Sequence, residues 1–150
     1  MKKLDYLILI PTDPTYVPSD EQAEAGGDAL EALLPRADEV SYDMFDDVRF
    51  IDGGEAFEAI TCPLCGKDAQ AWWEGAMDQA AETEFEDLTV VATCCGGATT
   101  LNALLYQPAA AFARFTLVAT NARVETLAVE SLVPVEAALG CALRMVRQRV

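Results

Sequence analysis

The middle of the chain carries two short cysteine-bearing turns, Thr61-Cys62-Pro63-Leu64-Cys65-Gly66 and Thr93-Cys94-Cys95-Gly96-Gly97. Four of the five cysteines lie in these turns, and a glycine directly follows each pair. Thiolates bind Zn²⁺ tetrahedrally at about 2.3 Å, and a four-sulfur structural site needs two turns that each present two sulfurs. The pattern therefore predicts one closed, structural zinc site. Its predicted ligands are Cys62, Cys65, Cys94 and Cys95.

The two halves of this site are not equally typical. A Cys-x-x-Cys-Gly turn is the usual form, because the glycine frees backbone amides to point at sulfur. In the second half Cys94 and Cys95 are neighbours, so their side chains must diverge around one ion. If only one of them is a ligand, Glu58, Asp68 or a water would complete the site. An open position of that kind would allow catalysis.

A thiol–disulfide redox centre at Cys62 and Cys65 is the competing interpretation. The segment Cys62-Pro63-Leu64-Cys65 has the spacing and the proline of a glutaredoxin-like active site. Such enzymes need the first cysteine exposed at a helix N-terminus with a depressed pKa. In this chain residues 66–68 separate the second cysteine from the next helix. Glutaredoxin-like folds also place a proline opposite the cysteine motif, and the strand at residues 88–94 contains none. The sequence thus favours a zinc site over a redox centre. The fifth cysteine, Cys141, is predicted to be a small buried apolar side chain.

Composition limits the function classes. At 150 residues and 52% hydrophobic content, the chain suits one domain with a packed core. A net charge of −15 repels phosphate backbones, so we expect no nucleic-acid partner. We favour a protein partner instead. One form of this hypothesis is a basic partner, which the negative charge would attract. The absence of histidine excludes Ser-His-Asp and Cys-His catalysis and imidazole zinc ligands.

No segment indicates a membrane or a secretory destination. The longest apolar runs, at residues 7–10 and 88–92, are far too short to span a bilayer. The first residues also lack the long apolar stretch and cleavage site of a signal peptide. We therefore expect a cytoplasmic protein, in which reduced thiols favour metal over disulfides.

Hydrophobic patterning predicts the elements of the N-terminal third. A buried strand is expected at residues 4–10, followed by a helix that begins at Ser19 or Asp20 and stops at Pro35. The pair Gly26-Gly27 marks either a close packing contact or a break in this helix. An acidic loop with Asp43, Asp46 and Asp47 then precedes strands at residues 48–51 and 56–60.

The remaining elements alternate between the same two patterns. A helix is expected at residues 69–82, where Trp72 and Trp73 point apart. Either one of them packs on the ribbon strands and the other lines a contact surface, or both pack in the core. Strands follow at residues 88–92, 98–101 and 112–120. A second amphipathic helix at residues 125–139, kinked at Pro134 or begun late there, stops at Gly140. A last strand covers residues 142–150.

With the middle set aside, the order is strand, helix, strand, then strand, helix, strand. This order predicts a ferredoxin-like α+β fold in which two helices cover one face of an antiparallel sheet. Residues 1–150 would form a single domain, and residues 56–104 a zinc-ribbon-like insertion within it.

Several motifs together resemble those of a family of uncharacterised small bacterial cytosolic proteins with a CPxCG…CCG zinc-ribbon-like motif. The resemblance covers roughly residues 57–150. It rests on the two cysteine turns, Trp72-Trp73 with Met77-Asp78, Asp87-Leu88-Thr89-Val90, Ala113-Arg114-Phe115, and Leu139-Gly140-Cys141-Ala142-Leu143-Arg144. It implies that the four cysteines act as a set, and it adds no substrate or reaction.

Together these observations favour a non-enzymatic protein-binding module with a structural four-cysteine zinc site. The alternatives are an enzyme that uses an open zinc site, or a thiol–disulfide centre at Cys62 and Cys65. A homodimer is a further possibility, because open antiparallel sheets often permit one.

Overall fold

The computed structural model describes residues 4–54, 56–125 and 127–149. Within these ranges the chain forms eight β-strands and three α-helices. In chain order they are β1 (Asp5–Pro11), α1 (Asp20–Leu33), β2 (Glu39–Ile51), β3 (Ala59–Thr61), α2 (Gln70–Ala81), β4 (Thr89–Val91), β5 (Ala98–Thr100), β6 (Leu105–Gln107), β7 (Ala111–Thr120), α3 (Val133–Leu139) and β8 (Leu143–Arg149). The predicted domain limits at residues 1 and 150, and position 126 of the predicted second helix, lie outside the described residues.

The largest sheet has four strands in the order β2-β7-β1-β8, and every pair is antiparallel. Leu9 of β1 lies opposite Leu117 of β7 and Met145 of β8, in the centre of the sheet. The chain therefore has a mixed α+β architecture built on an antiparallel sheet, as the sequence predicts.

Helices α1 and α3 pack together on one face of this sheet. Their apolar side chains, which include Leu30 and Leu139, form one core with Leu9, Phe115 and Leu117, all of them fully buried. The sequence patterns explain this arrangement, because each helix has an apolar stripe and alternate residues of β1 point to this face of the sheet.

Gly26 decides how closely α1 and α3 approach. A Cβ atom at this position would lie 2.6 Å from Cδ2 of Leu139, closer than real Cβ atoms come to neighbouring atoms. Of the two predictions for the Gly26-Gly27 pair, the packing contact is correct, because α1 is continuous from Asp20 to Leu33.

The ends of α1 follow from local chemistry. The hydroxyl of Ser19 accepts from the backbone N–H of Gln22, and the Gln22 side chain accepts from the backbone N–H of Ser19, which forms a capping box. The helix ends before Pro35, because the proline ring disfavours a helical conformation of the preceding residue, Leu34.

Two predictions for single elements were wrong. The acids at residues 43, 46 and 47 do not lie in a loop, because β2 runs continuously from Glu39 to Ile51. A register shift between Met44 and Arg49 absorbs the polar segment while both flanks still pair with β7. The second helix is also shorter than residues 125–139: a 3₁₀ turn at Val129–Leu132 precedes α3, which carries Pro134 in its first turn.

The segment between β2 and β7 has its own small sheets and its own core. Strand β3 pairs with β6, and β4 pairs with β5. Its core joins the main sheet through Phe50 and Phe112, whose rings lie 4.9 Å apart. The buried side chain of Asn102 adds a polar link, because it accepts from the backbone N–H of Phe112 and donates to the carbonyl of Thr12.

Among the described residues, no helix is both long enough and apolar enough to cross a lipid bilayer.

Candidate metal centre

The first cysteine turn directly follows β3 and is closed by two backbone hydrogen bonds. The N–H of Gly66 donates to the carbonyl of Cys62 at 2.9 Å, and the N–H of Cys62 donates to the carbonyl of Lys67 at 2.9 Å. Gly66 has a φ of +75°, a conformation that glycine adopts without strain. The chain reverses within six residues and presents Cys62 and Cys65 on the same turn.

The second turn, between β4 and β5, repeats this pattern at residues 92–97. The N–H of Gly96 donates to the carbonyl of Ala92 at 2.6 Å, and the N–H of Ala92 donates to the carbonyl of Gly97 at 2.9 Å. Gly96 also has a φ of +75°. Superposing the two patterns matches Cys95 with Cys65. The second turn therefore has the same backbone architecture as the first.

The four thiols of the two turns converge. Their Sγ atoms all lie within 4.8 Å of one another, and Cys65 Sγ and Cys94 Sγ are 3.3 Å apart. Tetrahedral zinc with bonds of about 2.3 Å requires sulfurs roughly 3.8 Å apart, so the cluster fits one ion. The predicted residues Cys62, Cys65, Cys94 and Cys95 are thus brought together as one set. Neither Glu58 nor Asp68 belongs to a metal-holding group within the described part of the chain.

The cluster lies at the boundary between core and solvent. Cys62 is completely buried, Cys94 is half-buried, and Cys65 and Cys95 are exposed. A metal ion would therefore enter from the solvent side, against the two exposed sulfurs. Cys141 lies elsewhere, half-buried beside the core of the main sheet, which agrees with its predicted apolar role.

The thiols influence one another's pKa. Burial raises the pKa of Cys62, but the backbone N–H groups of Leu64 and Cys65 and the neighbouring thiols outweigh it and lower the pKa from 9.0 to about 7. The hydrogen bond with Cys65 and burial raise the pKa of Cys94 to about 12. The cluster therefore favours ionisation of one thiol. The negative charge of that thiolate opposes the ionisation of a second thiol. A divalent cation removes this conflict, because it stabilises several thiolates together.

Trp72, on the first turn of α2, borders the cluster. Its indole Nε1 is buried, and no acceptor lies within hydrogen-bond geometry among the described residues. The indole nonetheless acts on the Cys94 thiol: it lowers the pKa of this group and so partly opposes the rise that Cys65 and burial cause. The sequence did not show which tryptophan would contact the ribbon, and packing of both in the core was the alternative. Both indoles pack against the core of the middle segment.

The geometry disfavours the redox interpretation. A nucleophilic Cys62 should be exposed at the start of a helix. Instead Cys62 has no exposed surface, and α2 begins at Gln70, five residues after Cys65. The Sγ atoms of the four cysteines are instead close enough together to hold one metal ion.

The equivalence between the two turns was missed from the sequence. The spacing Ala92-x-x-Cys95-Gly96 matches Cys62-x-x-Cys65-Gly66 once the Cys-Gly pairs are aligned. This alignment would have shown that alanine takes the place of the first cysteine in the second turn. It would also have identified Cys94 as the cysteine at an unusual position.

No protein-family model, curated protein or solved structure matches the chain. The resemblance to uncharacterised zinc-ribbon-like proteins therefore stays a prediction, and the functional argument rests on the geometry of the site.

Proposed function

We propose that this chain is a zinc-binding protein whose four clustered cysteines form a structural, all-sulfur site. The observation that carries the proposal is the convergence of four Sγ atoms within 4.8 Å of one another. Four sulfurs saturate a tetrahedral ion, and the role of such a site is to stabilise the fold around it.

Zinc is the ion that we propose for this all-sulfur site. Tetrahedral thiolate sites select zinc or iron over hard cations such as Mg²⁺ and Ca²⁺. Two short two-stranded sheets carry the turns, and three residues per strand supply little pairing of their own. A metal that joins the two turns would supply the missing cross-link, as zinc does in small domains.

We further propose that residues 1–150 form a single domain of ferredoxin-like topology. The order β2-β7-β1-β8, with α1 and α3 on one face, supports this topology. The separate strand pairs between β2 and β7 support a zinc-ribbon-like insertion, predicted at residues 56–104. The pairing of β3 with β6 suggests an insertion that extends to Gln107.

The proposed role of the domain is non-enzymatic binding of a basic protein in the cytoplasm. The net charge of −15 supports a cationic partner. A groove between α1 and β2 is lined by Glu24, Asp28 and Glu31, and it runs beside an edge strand of the main sheet. An edge strand beside an acidic helix face suits an extended basic segment that adds to the sheet. Self-association through the same edge is the alternative that light scattering would reveal.

Elemental analysis of protein purified without chelator or affinity nickel tests the metal proposal. We expect one zinc per chain, and loss of that zinc in each serine variant of Cys62, Cys65, Cys94 and Cys95. Cys141→Ser is the matched control and should retain the metal, because Cys141 is remote from the cluster.

Other outcomes would overturn the proposal in distinguishable ways. One iron per chain would replace zinc by iron as the resident metal. Metal loss in Cys95→Ser but not in Cys94→Ser would indicate a three-ligand, open site and favour the enzymatic alternative. No metal, with rapid labelling of Cys62 by a thiol reagent at neutral pH, would favour the redox alternative.

A further inference from the structure

Adjacent indoles on α2 have different hydrogen-bonding arrangements. Nε1 of Trp73 donates to the hydroxyl of Tyr106 at 3.1 Å, and that hydroxyl donates to the carbonyl of Leu101 at 2.7 Å. Nε1 of Trp72 is also buried but has no hydrogen-bond partner among the described residues. Folded proteins pair nearly all buried N–H groups, so an unpaired one needs an explanation.

The chemistry of the site supplies one. An indole nitrogen can only donate, and the thiol beside it belongs to Cys94. A neutral thiol is a weak acceptor, whereas a metal-bound thiolate carries negative charge and accepts strongly. Donors of this kind, placed behind the ligands, orient them and adjust metal affinity.

Cys94 is also the ligand that most needs support. It stands in the second turn where the first turn has Leu64, so no backbone N–H of the repeated turn is arranged for its sulfur as those of Leu64 and Cys65 are for Cys62. The side chain of Trp72 provides the missing donor from a neighbouring helix.

We propose that Trp72 is a positioning residue of the metal centre, whose indole N–H donates to the Cys94 thiolate when the ion is bound. This inference rests on the proposed zinc site and deepens it. It distinguishes the ligands by the element that orients them. Helix α2 orients Cys94, whereas their own turns orient Cys62, Cys65 and Cys95.

Trp72→Phe and Trp73→Phe form a matched pair of variants. Each removes one indole N–H from the same helix, but only the first removes the donor beside Cys94. Cobalt(II) titration against a competing chelator is expected to show a 10- to 100-fold loss of affinity in Trp72→Phe. The thiolate-to-cobalt charge-transfer band should move to lower energy in this variant only, because an unsupported thiolate is a stronger electron donor. Equal changes in the two variants, or no change in Trp72→Phe, would overturn the inference.

A measurement on the unaltered chain keeps the test valid if Trp72→Phe fails to fold. In protein loaded with ¹¹³Cd, a hydrogen bond to a metal-bound sulfur transmits a scalar coupling from the metal to the indole proton. We expect this coupling for Trp72 and not for Trp73. Its absence in a protein that binds one cadmium per chain would overturn the role of Trp72 alone. A chain that binds no metal would instead overturn the proposed zinc site.

Discussion

Ala92 occupies in the second cysteine turn the position that Cys62 occupies in the first. Both residues accept from a glycine N–H four positions later, donate to a carbonyl five positions later, and are completely buried. The second turn thus has the backbone of a two-cysteine turn but lacks its first cysteine. Cys94 supplies the fourth sulfur from the position that matches Leu64.

This equivalence predicts that the fourth ligand can be moved. Cys94→Ser should lose zinc or bind it at least tenfold more weakly, because three thiolates leave the ion incompletely coordinated. The double variant Ala92→Cys/Cys94→Ser should recover one zinc per chain, because position 92 directs its side chain as Cys62 does. Ala92→Ser/Cys94→Ser is the control, and metal content with chelator competition is the measurement. Failure of the cysteine-bearing double variant to bind more tightly than this control would contradict the equivalence.

The sequence predicted that these four cysteines come together, and the structure confirms it, because local spacing carries that information. Two cysteine pairs, each next to a glycine, suffice to predict two turns and one cluster. The turn of Cys94 and Cys95 was harder to interpret, since the decisive residue is an alanine. The influence of Trp72 on Cys94 was not predictable, because it depends on how α2 packs against the core of the middle segment.

Acidification should release the metal. In the proposed site the ligands are thiolates, and protons compete with the ion for each of them. We expect zinc binding to weaken steadily as the pH falls below neutrality, with retention of metal above pH 7. Zinc release monitored with a chromogenic chelator between pH 8 and pH 4 measures this. Affinity independent of pH would contradict ligation by thiolates.

Gly26 and Gly27 should respond in opposite ways to alanine. At Gly26 the added methyl group would overlap the side chain of Leu139, which is fully buried and cannot move away. We expect a net loss of about 1–2 kcal/mol in the free energy of unfolding, since overpacking outweighs the gain in helix propensity. At Gly27 the nearest atoms are 3.9 Å away, so alanine should stabilise the fold by about 0.5–1 kcal/mol. Urea unfolding of the two variants gives both values, and equal effects would contradict the close α1–α3 contact.

The four-stranded sheet and its helices were largely predictable, whereas two element boundaries were not. Apolar patterning identified β1, α1, β7 and the last strand, because each of them places apolar side chains in the cores beside the main sheet. The acids of β2 resemble a loop in composition, but pairing with β7 on both sides of the register shift keeps this segment extended. Pairing with a distant strand thus overrides the local conformational preference of the segment. Such pairing cannot be predicted from the residues of that segment alone.

The hydroxyl of Tyr106 is predicted to cause a loss of stability at alkaline pH. Burial raises its pKa to about 12, although the N–H of Trp73 partly opposes the rise. Because the pKa in the folded chain lies above the value of 10.0 for an unfolded chain, the stabilisation is complete below pH 10 and is lost as the pH rises towards 12. We expect the free energy of unfolding to fall by roughly 2–3 kcal/mol over this range.

The variant Tyr106→Phe should lack this pH-dependent loss of stability. At pH 8 it should be less stable by about 1–3 kcal/mol, because the N–H of Trp73 loses its acceptor. Parallel slopes of stability against pH in the two proteins would contradict the assignment.

The acidic groove beside β2 predicts where a basic partner binds. Glu24, Asp28 and Glu31 are exposed on one side of α1, whereas Glu74, Asp78 and Glu82 are exposed on α2 and its C-terminal end. Replacing either set with lysine changes the net charge equally. With a fluorescent ten-residue lysine peptide as the probe, anisotropy should show at least tenfold weaker binding for the α1 set, and little change beyond the general charge effect for the α2 set.

Because the peptide can also pair with the edge of β2, part of the affinity should remain at 0.5 M salt, where exposed charges are screened. Equal losses in the two variants, with no binding left at high salt, would show attraction to the overall charge and no specific groove.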